Sequence, residues 1–179
     1  MQTSSDPIAN RPKKVMAFGT FDFFHAGHED YLRQARALGD ELIVVVARDD
    51  TVKKVKNAAP VNNERKRLRD VAACFHVSKA VLGNLDDKYR VIKRYTPDVL
   101  ALGYDQYVFT YGLRNFFIQE KLGTEIVRLE SFRPQTFKSS LIKRSLNRLT
   151  EGELKKDRRA SDSLSSTPCA QDSLTTSAA

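Results

Sequence analysis

The 179-residue sequence contains no tryptophan, only two cysteines, only three histidines and no long apolar run. The cysteines, Cys74 and Cys169, are far apart and form neither a disulfide framework nor a zinc-ligand pattern, which favours a reducing compartment. No stretch approaches the roughly 18 apolar residues of a membrane span. The N-terminal "MQTSSDPIANRPKK" lacks the apolar core of a signal peptide. We therefore expect a cytoplasmic globular protein that does not enter a membrane.

The sequence has an excess of positive charge, with a formal net charge of +8. This charge is concentrated in three separate clusters, at 11–14, 53–56 and 64–69, which we expect to be basic loops. Loops of this kind that converge in space suit a compact polyphosphate as well as a nucleic-acid backbone. No combined aromatic and basic RNA signature accompanies them, so binding of nucleic acid is not favoured. A solvated basic surface is the remaining alternative for any single cluster.

Apolar, β-branched segments alternate with helical patterns along the chain. Short buried strands are predicted at 15–18, 41–47, 79–83, 99–103 and 125–129. Helices are predicted from Tyr31, Leu32, Ala35 and Leu38, ending at Gly39; from Leu68, Val71, Ala72 and Phe75; and near 87–95, 113–122 and 139–149. This alternation predicts an α/β fold: a Rossmann-like, doubly wound, parallel five-stranded sheet with helices on both faces.

The two ends of the chain differ in composition from its middle. The stretch 155–179 is rich in Ser, Thr and Ala, and it holds too little apolar material to offset the entropy of ordering. We expect a flexible N-terminal segment over 1–13, one folded domain over 14–150 and a disordered Ser/Thr-rich tail over 151–179.

The segment "FGTFDFFHAGH" (18–28) follows the first predicted strand and contains two of the three histidines. In a doubly wound sheet, ligands bind at the carboxyl ends of the strands, and the first strand usually borders that crevice. Gly19 would let the backbone approach a ligand closely, and amides at a helix start near Gly27 favour an anion. His25 and His28 would flank that helix start and donate to phosphate oxygens.

The histidine pair is also compatible with two roles that involve no phosphate. Both side chains could be ordinary core or surface groups, or they could bind a transition metal together with Asp22. A third strong ligand is not evident in the sequence, and nearby positive charge would repel a divalent cation unless phosphates accompanied it. Phosphate binding is therefore the favoured interpretation.

The segment "GTFDFFHAGH" (19–28) resembles the G-T/S-F-D-x-x-H-x-G-H signature of the cytidylyltransferase-like nucleotidyltransferase superfamily, and the resemblance covers roughly residues 14–146. It implies nucleotidyl transfer. By the same resemblance, the catalytic set is His25, His28, Lys53, Lys54 and Arg67. The implied nucleotide-binding set is Gly19, Thr20, Phe21, Gly27, Asp105, Arg133, Ser139 and Ser140.

The resemblance also implies a chemistry. A phosphate oxygen attacks the α-phosphorus of a nucleoside triphosphate and pyrophosphate leaves in line, so catalysis is mostly positioning and charge stabilisation. An ionised phosphate requires no strong general base, and no side chain has to become a covalent nucleophile. A magnesium ion is expected with the phosphates, and Asp22 is the protein group expected nearest to it.

Within the superfamily, the segments 38–54, 79–85 and 97–106 look most like the archaeal-type FAD synthases, which transfer AMP from ATP to FMN. The alternative is transfer from CTP to glycerol 3-phosphate. Enzymes of that kind typically carry Arg-Thr-Glu-Gly-Ile-Ser-Thr-Thr where this chain has "RPQTFKSS". A non-catalytic binding protein would be expected to lack one of the histidines or lysines, and all are present. Residue spacing does not show whether the enzyme prefers adenine or cytosine nucleotides. Because members of the superfamily are often dimers, a homodimer is one expected assembly.

Overall fold

The computed structural model describes residues 11–87, 89–104, 106 and 112–132. This part of the chain forms β1 (Lys14–Gly19), α1 (Ala26–Arg36), β2 (Glu41–Val46), α2 (Asp49–Lys56), α3 (Glu64–Ala72), β3 (Lys79–Leu82), α4 (Arg90–Tyr95), β4 (Val99–Leu102), α5 (Leu113–Gln119) and β5 (Glu125–Arg128). The predicted helix at 139–149, the tail and most of the N-terminal segment lie outside the described residues.

The strands form one parallel sheet in the order β3-β2-β1-β4-β5. The chain moves outward from β1 through β2 to β3 and then crosses to β4 on the other side of β1. β1 pairs with β2 as far as Gly19, but it pairs with β4 only as far as Ala17, opposite Ala101. The strand order therefore reverses between β1 and β4, and a crevice is expected at the carboxyl ends of these two strands.

Alternate side chains of the strands enter two apolar clusters, one on each face of the sheet. The first contains Val15, Ala17, Val44 and Val46 with Leu32 of α1 and Val71 of α3. The second contains Met16, Ile43, Val45 and Leu100 with Ile92 of α4 and Phe116 and Phe117 of α5. The predicted Rossmann-like α/β fold, with helices on both faces of a five-stranded parallel sheet, is confirmed.

Two of the strands correct the prediction of five buried strands. β3 and β5 are the edges of the sheet, and Val81, Ile126 and Val127 are only partly buried there. Because an edge strand has a neighbour on one side only, its side chains keep more contact with solvent. Their apolar composition predicted strands correctly but did not indicate their place in the sheet.

The helices also correct the sequence analysis in three places. The clusters at 53–56 and 64–69 were predicted as loops, but they lie on α2 and α3. Val52 is the buried residue of α2, so this short helix gives almost no apolar periodicity. Phe75 lies beyond the end of α3 and is 97% exposed, so its predicted place on the helix was wrong. α1 ends at Arg36, before Gly39. No helix in the described ranges is long and apolar enough to cross a membrane.

Candidate active site

The loop that follows β1 is built around the ring of Phe21. Phe21 has a φ of 54° and Phe23 a φ of 55°, a left-handed conformation that is uncommon for residues other than glycine. The Phe21 ring lies against Gly19, where an added Cβ would come within 2.6 Å of it. The glycine therefore makes room for Phe21, which is 2% exposed, and the ligand contact expected at Gly19 stays a prediction.

His25 is the N-cap of α1. Its Nδ1 accepts hydrogen bonds from the amides of Gly27 at 3.1 Å and His28 at 3.3 Å. These two amides are therefore held within the protein, whereas the sequence analysis expected amides at this helix start to face an anion. Because Nδ1 accepts, we assign the proton of the neutral ring to Nε2.

His28 stacks on His25 and is largely enclosed. The two imidazole centroids are 3.8 Å apart with an interplanar angle of 16°, and the Phe21 ring meets His28 edge-on at 5.3 Å. The Nδ1 atom of His28 is buried and has no hydrogen-bond partner within the described part of the chain. Burial, followed by electrostatic repulsion from the His25 and Lys56 side chains, lowers the pKa of His28 to about 3, against an opposing effect of Asp22.

Burial also lowers the pKa of His25. Both imidazoles are therefore neutral at pH 7 in the folded protein. A neutral imidazole can still donate one hydrogen bond, so the pair can bind a phosphate oxygen without a charge having to be buried beforehand.

The lysines of α2 differ in their surroundings. Lys53 forms an exposed ion pair with Asp50 at 3.7 Å, and Lys54 is exposed. Lys56 is also exposed, and its charge acts on His28. The sequence analysis placed Lys53 and Lys54 in the catalytic set but not Lys56, although the same basic run contains all three.

Arg67 of α3 is fully buried and holds three segments together. Its Nε donates to the carbonyl of Asn62 at 3.0 Å, and its Nη1 donates to the carbonyl of Thr20. Its Nη2 donates to the carbonyl of Ala47 at 2.8 Å and to Asp49 Oδ1 at 2.7 Å. The guanidinium thereby joins the loop after β1, the end of β2 and the start of α2.

The starts of α2 and α3 cap one another. Glu64 Oε2 accepts from the amide of Asp49 and from Arg48 Nε, both at 3.0 Å, and Asp49 Oδ2 accepts from the amide of Glu64 at 3.2 Å. Carboxylates are stabilised at helix N-termini, where backbone N–H groups lack intrahelical partners. This exchange fixes the lysine-bearing helix to the helix that carries Arg67.

Asp22 is 3% exposed and accepts three hydrogen bonds. Its Oδ2 accepts from the amide of Val61 at 2.9 Å, and its Oδ1 accepts from the amide and the side-chain nitrogen of Asn62, both at 3.0 Å. These donors suit a carboxylate that fastens the loop after β1 to the segment before α3. No group of three or more His, Cys, Asp or Glu side chains that could hold a metal ion occurs in the described ranges.

A residue that the sequence analysis missed lies where β1 and β4 separate. Gln106 Nε2 donates to the carbonyl of Phe18 at 2.7 Å, and the Tyr31 hydroxyl donates to the same carbonyl at 3.3 Å. Of the residues in "GYDQ" (103–106), the sequence analysis named only Asp105 as a site residue. The available signal was a polar residue four positions after the end of a buried strand.

The structure brings most of the candidate residues together at one end of the sheet. These residues lie at the end of β1, in the loop after it or at the start of α1, or they contact that loop: Gly19, Thr20, Phe21, Asp22, His25, Gly27, His28 and Arg67. Asp105, Arg133, Ser139 and Ser140 lie outside the described residues, and their expected roles stay predictions.

Residues 16–145 match the model of the Cytidylyltransferase-like family, and the chain belongs to this family. By family it is a nucleotidyltransferase, which confirms the expected class of enzyme. Nucleotidyltransferases of the FAD synthase kind generally use a divalent cation.

Among its relatives, the chain is similar to an FAD synthase of Thermoplasma acidophilum, with 38% identity over 136 residues that cover 76% of this chain and 95% of that protein. It is 45% identical to an FAD synthase of Methanothrix thermoacetophila over 121 residues, which are 68% of this chain and 83% of that protein.

The solved structures that resemble this chain include a lipopolysaccharide core biosynthesis protein from Thermoplasma volcanium. It has a TM-score of 0.65 and 35% identity, covering 68% of this chain and 99% of that chain. A protein of unknown function from Archaeoglobus fulgidus, with a TM-score of 0.53 and 19% identity, supports the fold alone.

Proposed function

We propose that this protein is an FAD synthase, which transfers AMP from ATP to FMN and releases pyrophosphate. The observation that carries the proposal is the stacked, neutral pair of His25 and His28 at the start of α1, beside the carboxyl end of β1. Its support from relatives is the 38% and 45% identity to the two FAD synthases.

In the proposed reaction, an oxygen of the FMN phosphate forms a bond to the α-phosphorus of ATP. The bond from that phosphorus to the oxygen bridging to the β-phosphate breaks, and its electron pair leaves with pyrophosphate. The FMN phosphate is ionised at neutral pH, so no side chain has to remove a proton. The rate then depends on donors fixed where negative charge accumulates, on the α-phosphate and on the leaving pyrophosphate.

The described residues divide into two proposed roles. His25, through Nε2, and His28 donate to the α-phosphate, while Lys53, Lys54 and Lys56 balance the charge of the triphosphate. Arg67 and Asp22 hold the loops that carry these donors, and we propose no direct contact between either residue and the substrate. Arg67 was predicted as catalytic and Asp22 as a magnesium ligand, and their protein contacts favour the revised roles.

Four candidates lie outside the described residues, and their proposed roles rest on the family resemblance. Ser139 and Ser140 would hold the β- and γ-phosphates, Arg133 would lie close to them, and Asp105 would contact the nucleotide. We propose magnesium as the divalent cation. It would arrive bound to the triphosphate, since phosphate oxygens are its preferred ligands.

The direct test is turnover with defined substrate pairs. Purified protein with ATP, magnesium and FMN should release pyrophosphate and form FAD, detected by quenched flavin fluorescence. CTP with glycerol 3-phosphate should give much less pyrophosphate. If the second pair is the better one, the enzyme is a cytidylyltransferase and the FAD synthase proposal fails.

A protein that binds nucleic acid is the alternative from another class, and the net charge of +8 is the observation that favours it. Filter binding to mixed DNA and RNA at two salt concentrations would reveal it, because each neutralised phosphate adds to a steep salt dependence. We expect weak binding at both concentrations. A cytoplasmic location and a homodimer complete the proposal, and light scattering of the purified protein tests the dimer.

A further inference from the structure

We infer that Gln106 is a positioning residue for the proposed nucleotidyl transfer, because its side-chain amide replaces one backbone rung between β1 and β4. The inference builds on the proposed function, and it names a residue outside the catalytic and binding sets predicted from the sequence.

The ladder between β1 and β4 stops at Ala17 and Ala101. One further step in this register would join the carbonyl of Phe18 to the amide of Gly103. Instead, Gly103 N donates to Gln106 Oε1 at 3.2 Å, and Gln106 Nε2 donates to the Phe18 carbonyl at 2.7 Å. A primary amide carries the same donor and acceptor types as a peptide group. The rung therefore continues through an inserted side chain, which lies between the Phe18 carbonyl and the Gly103 amide.

The ends of β1 and β4 are held by further hydrogen bonds. The backbone amide of Gln106 donates to the Gly103 carbonyl at 3.2 Å, which closes a turn at the end of β4. The Tyr31 hydroxyl donates to the Ala101 carbonyl at 3.0 Å, and Arg128 Nη1 donates to the Gly103 carbonyl at 2.9 Å. The groups beyond the last pair of the ladder are the Phe18 carbonyl and the amide and carbonyl of Gly103, and side chains from three different segments satisfy them.

This arrangement connects two parts of the proposed site. Phe18 is the second-last residue of β1, which leads to the loop before His25, and in the sequence Gln106 directly follows position 105, the predicted nucleotide contact. The bridge therefore sets the distance between the donors for the α-phosphate and the other wall of the crevice. A displacement of about 1 Å in a reacting geometry can cost roughly 100-fold in rate.

Two variants test the inference. Gln106→Met keeps the side-chain length and removes both hydrogen-bonding groups, so we expect kcat to fall by about 10- to 100-fold. The KM for the triphosphate should change less than about threefold, since binding groups remain in place. Gln106→Glu places a carboxylate oxygen opposite the Phe18 carbonyl, so it should be impaired near neutral pH. When protonated, the introduced carboxyl has one donor and one acceptor, as the amide has.

The pH profile separates positioning from general stabilisation. Relative to wild type at each pH, the loss in Gln106→Glu should shrink between about pH 8 and about pH 5.5, because a partly buried carboxyl facing a carbonyl has a raised pKa. The loss in Gln106→Met should not vary with pH. Gln119→Met, at the exposed last residue of α5, is the matched control and should behave as wild type.

Two results would overturn the inference: a wild-type kcat per folded molecule in Gln106→Met, or a pH-independent loss in Gln106→Glu. Every variant is assayed with the substrate pair that the wild type turns over. If that pair is not ATP and FMN, the proposed function fails but the test of Gln106 remains valid. If the wild type turns over neither pair, amide hydrogen exchange tests whether Gln106 holds the ends of β1 and β4 together. Exchange at Gly103 should be faster in Gln106→Met than in Gln119→Met, and equal rates would overturn the inference.

Discussion

At the scale of single residues, His25 has two functions that its two ring nitrogens separate. Nδ1 accepts the hydrogen bonds that begin α1, and Nε2 carries the ring proton that we propose is donated to the α-phosphate. Ser, Thr, Asp and Asn are the usual residues at an N-cap, so an imidazole there indicates a further requirement at this position. His28 has no such capping function, since its Nδ1 is buried without a partner in the described structure.

The two functions of His25 can be separated by substitution. His25→Asn keeps a capping oxygen, so its stability should stay close to wild type while kcat falls by about 10²–10³. His25→Ala should lose the same factor in kcat and, in addition, about 1 kcal/mol of stability. Urea unfolding and initial-rate measurements on both variants make the comparison. Equal stabilities for the two variants would show that the cap contributes nothing.

The lowered pKa of His28 predicts a dependence of stability on pH. In the unfolded chain an unperturbed histidine has a pKa of about 6.5, whereas the folded pKa of His28 is about 3. Between these values the unfolded chain binds more protons, so the free energy of unfolding falls as pH is lowered. From about pH 7 to about pH 5, His28 should account for a decrease on the order of 2 kcal/mol.

His28→Gln should reduce this decrease, as measured by urea unfolding at the two pH values. Gln119→Met, which changes no ionisable group at the exposed last residue of α5, serves as the control and should leave the decrease as in wild type. An unchanged decrease in His28→Gln would mean that His28 is not buried as a neutral group.

At the scale of elements, α2 and α3 act as one unit because Arg67 and the exchange between Asp49 and Glu64 join their starts. Arg67→Lys retains the charge but cannot reach four acceptors at once, because an ammonium is compact where a guanidinium is a planar fork. Leaving a buried acceptor without its donor typically costs about 1–3 kcal/mol. The free energy of unfolding in urea should fall by that amount.

Arg69→Lys on the same helix is the matched control for Arg67→Lys. Arg69 is exposed, so the change should stay within about 0.5 kcal/mol. If both variants are equally stable, the buried guanidinium does not hold the two helices.

The lysines of α2 give a second prediction at this scale. The charge of Lys56 acts on His28, whereas Lys53 lies in an exposed ion pair with Asp50. Lys56→Gln should therefore weaken triphosphate binding by about tenfold, as expected for one charge-assisted hydrogen bond. Lys53→Gln should weaken it by less than about threefold, since exposed charges are screened. Calorimetric titration with a non-hydrolysable triphosphate measures both, and the reverse order would contradict the assignment.

At the scale of the whole molecule, the composition of the C-terminal stretch predicts that it is dispensable. Residues 156–179 contain too little apolar material to form a core, and they lie beyond the stretch that matches the family. A truncation after Lys155 should keep both the melting temperature and the turnover of the full chain. A fall in either quantity would show that the tail contacts the folded domain.

The sequence by itself determined the positions of the strands, the α/β class and the histidine motif at the end of β1. These depend on short-range patterns: apolar runs between turns, and a signature within ten consecutive residues. The weak apolar pattern of α2, with Val52 as its buried residue, marks the limit of that information.

Only the tertiary structure decided how the polar residues are used. Asp22 meets Asn62 across 40 residues, Arg67 meets Thr20 across 47, and Gln106 meets Phe18 across 88. Such contacts depend on the strand order, which places β4 beside β1 and β3 at an edge, and no local pattern encodes that order. From the sequence alone, an aspartate, an arginine and a glutamine in a chain with a phosphate motif could each contact the substrate directly. In the folded protein these side chains form hydrogen bonds with backbone groups. They do so because a buried donor or acceptor without a partner destabilises the fold by more than one hydrogen bond stabilises it.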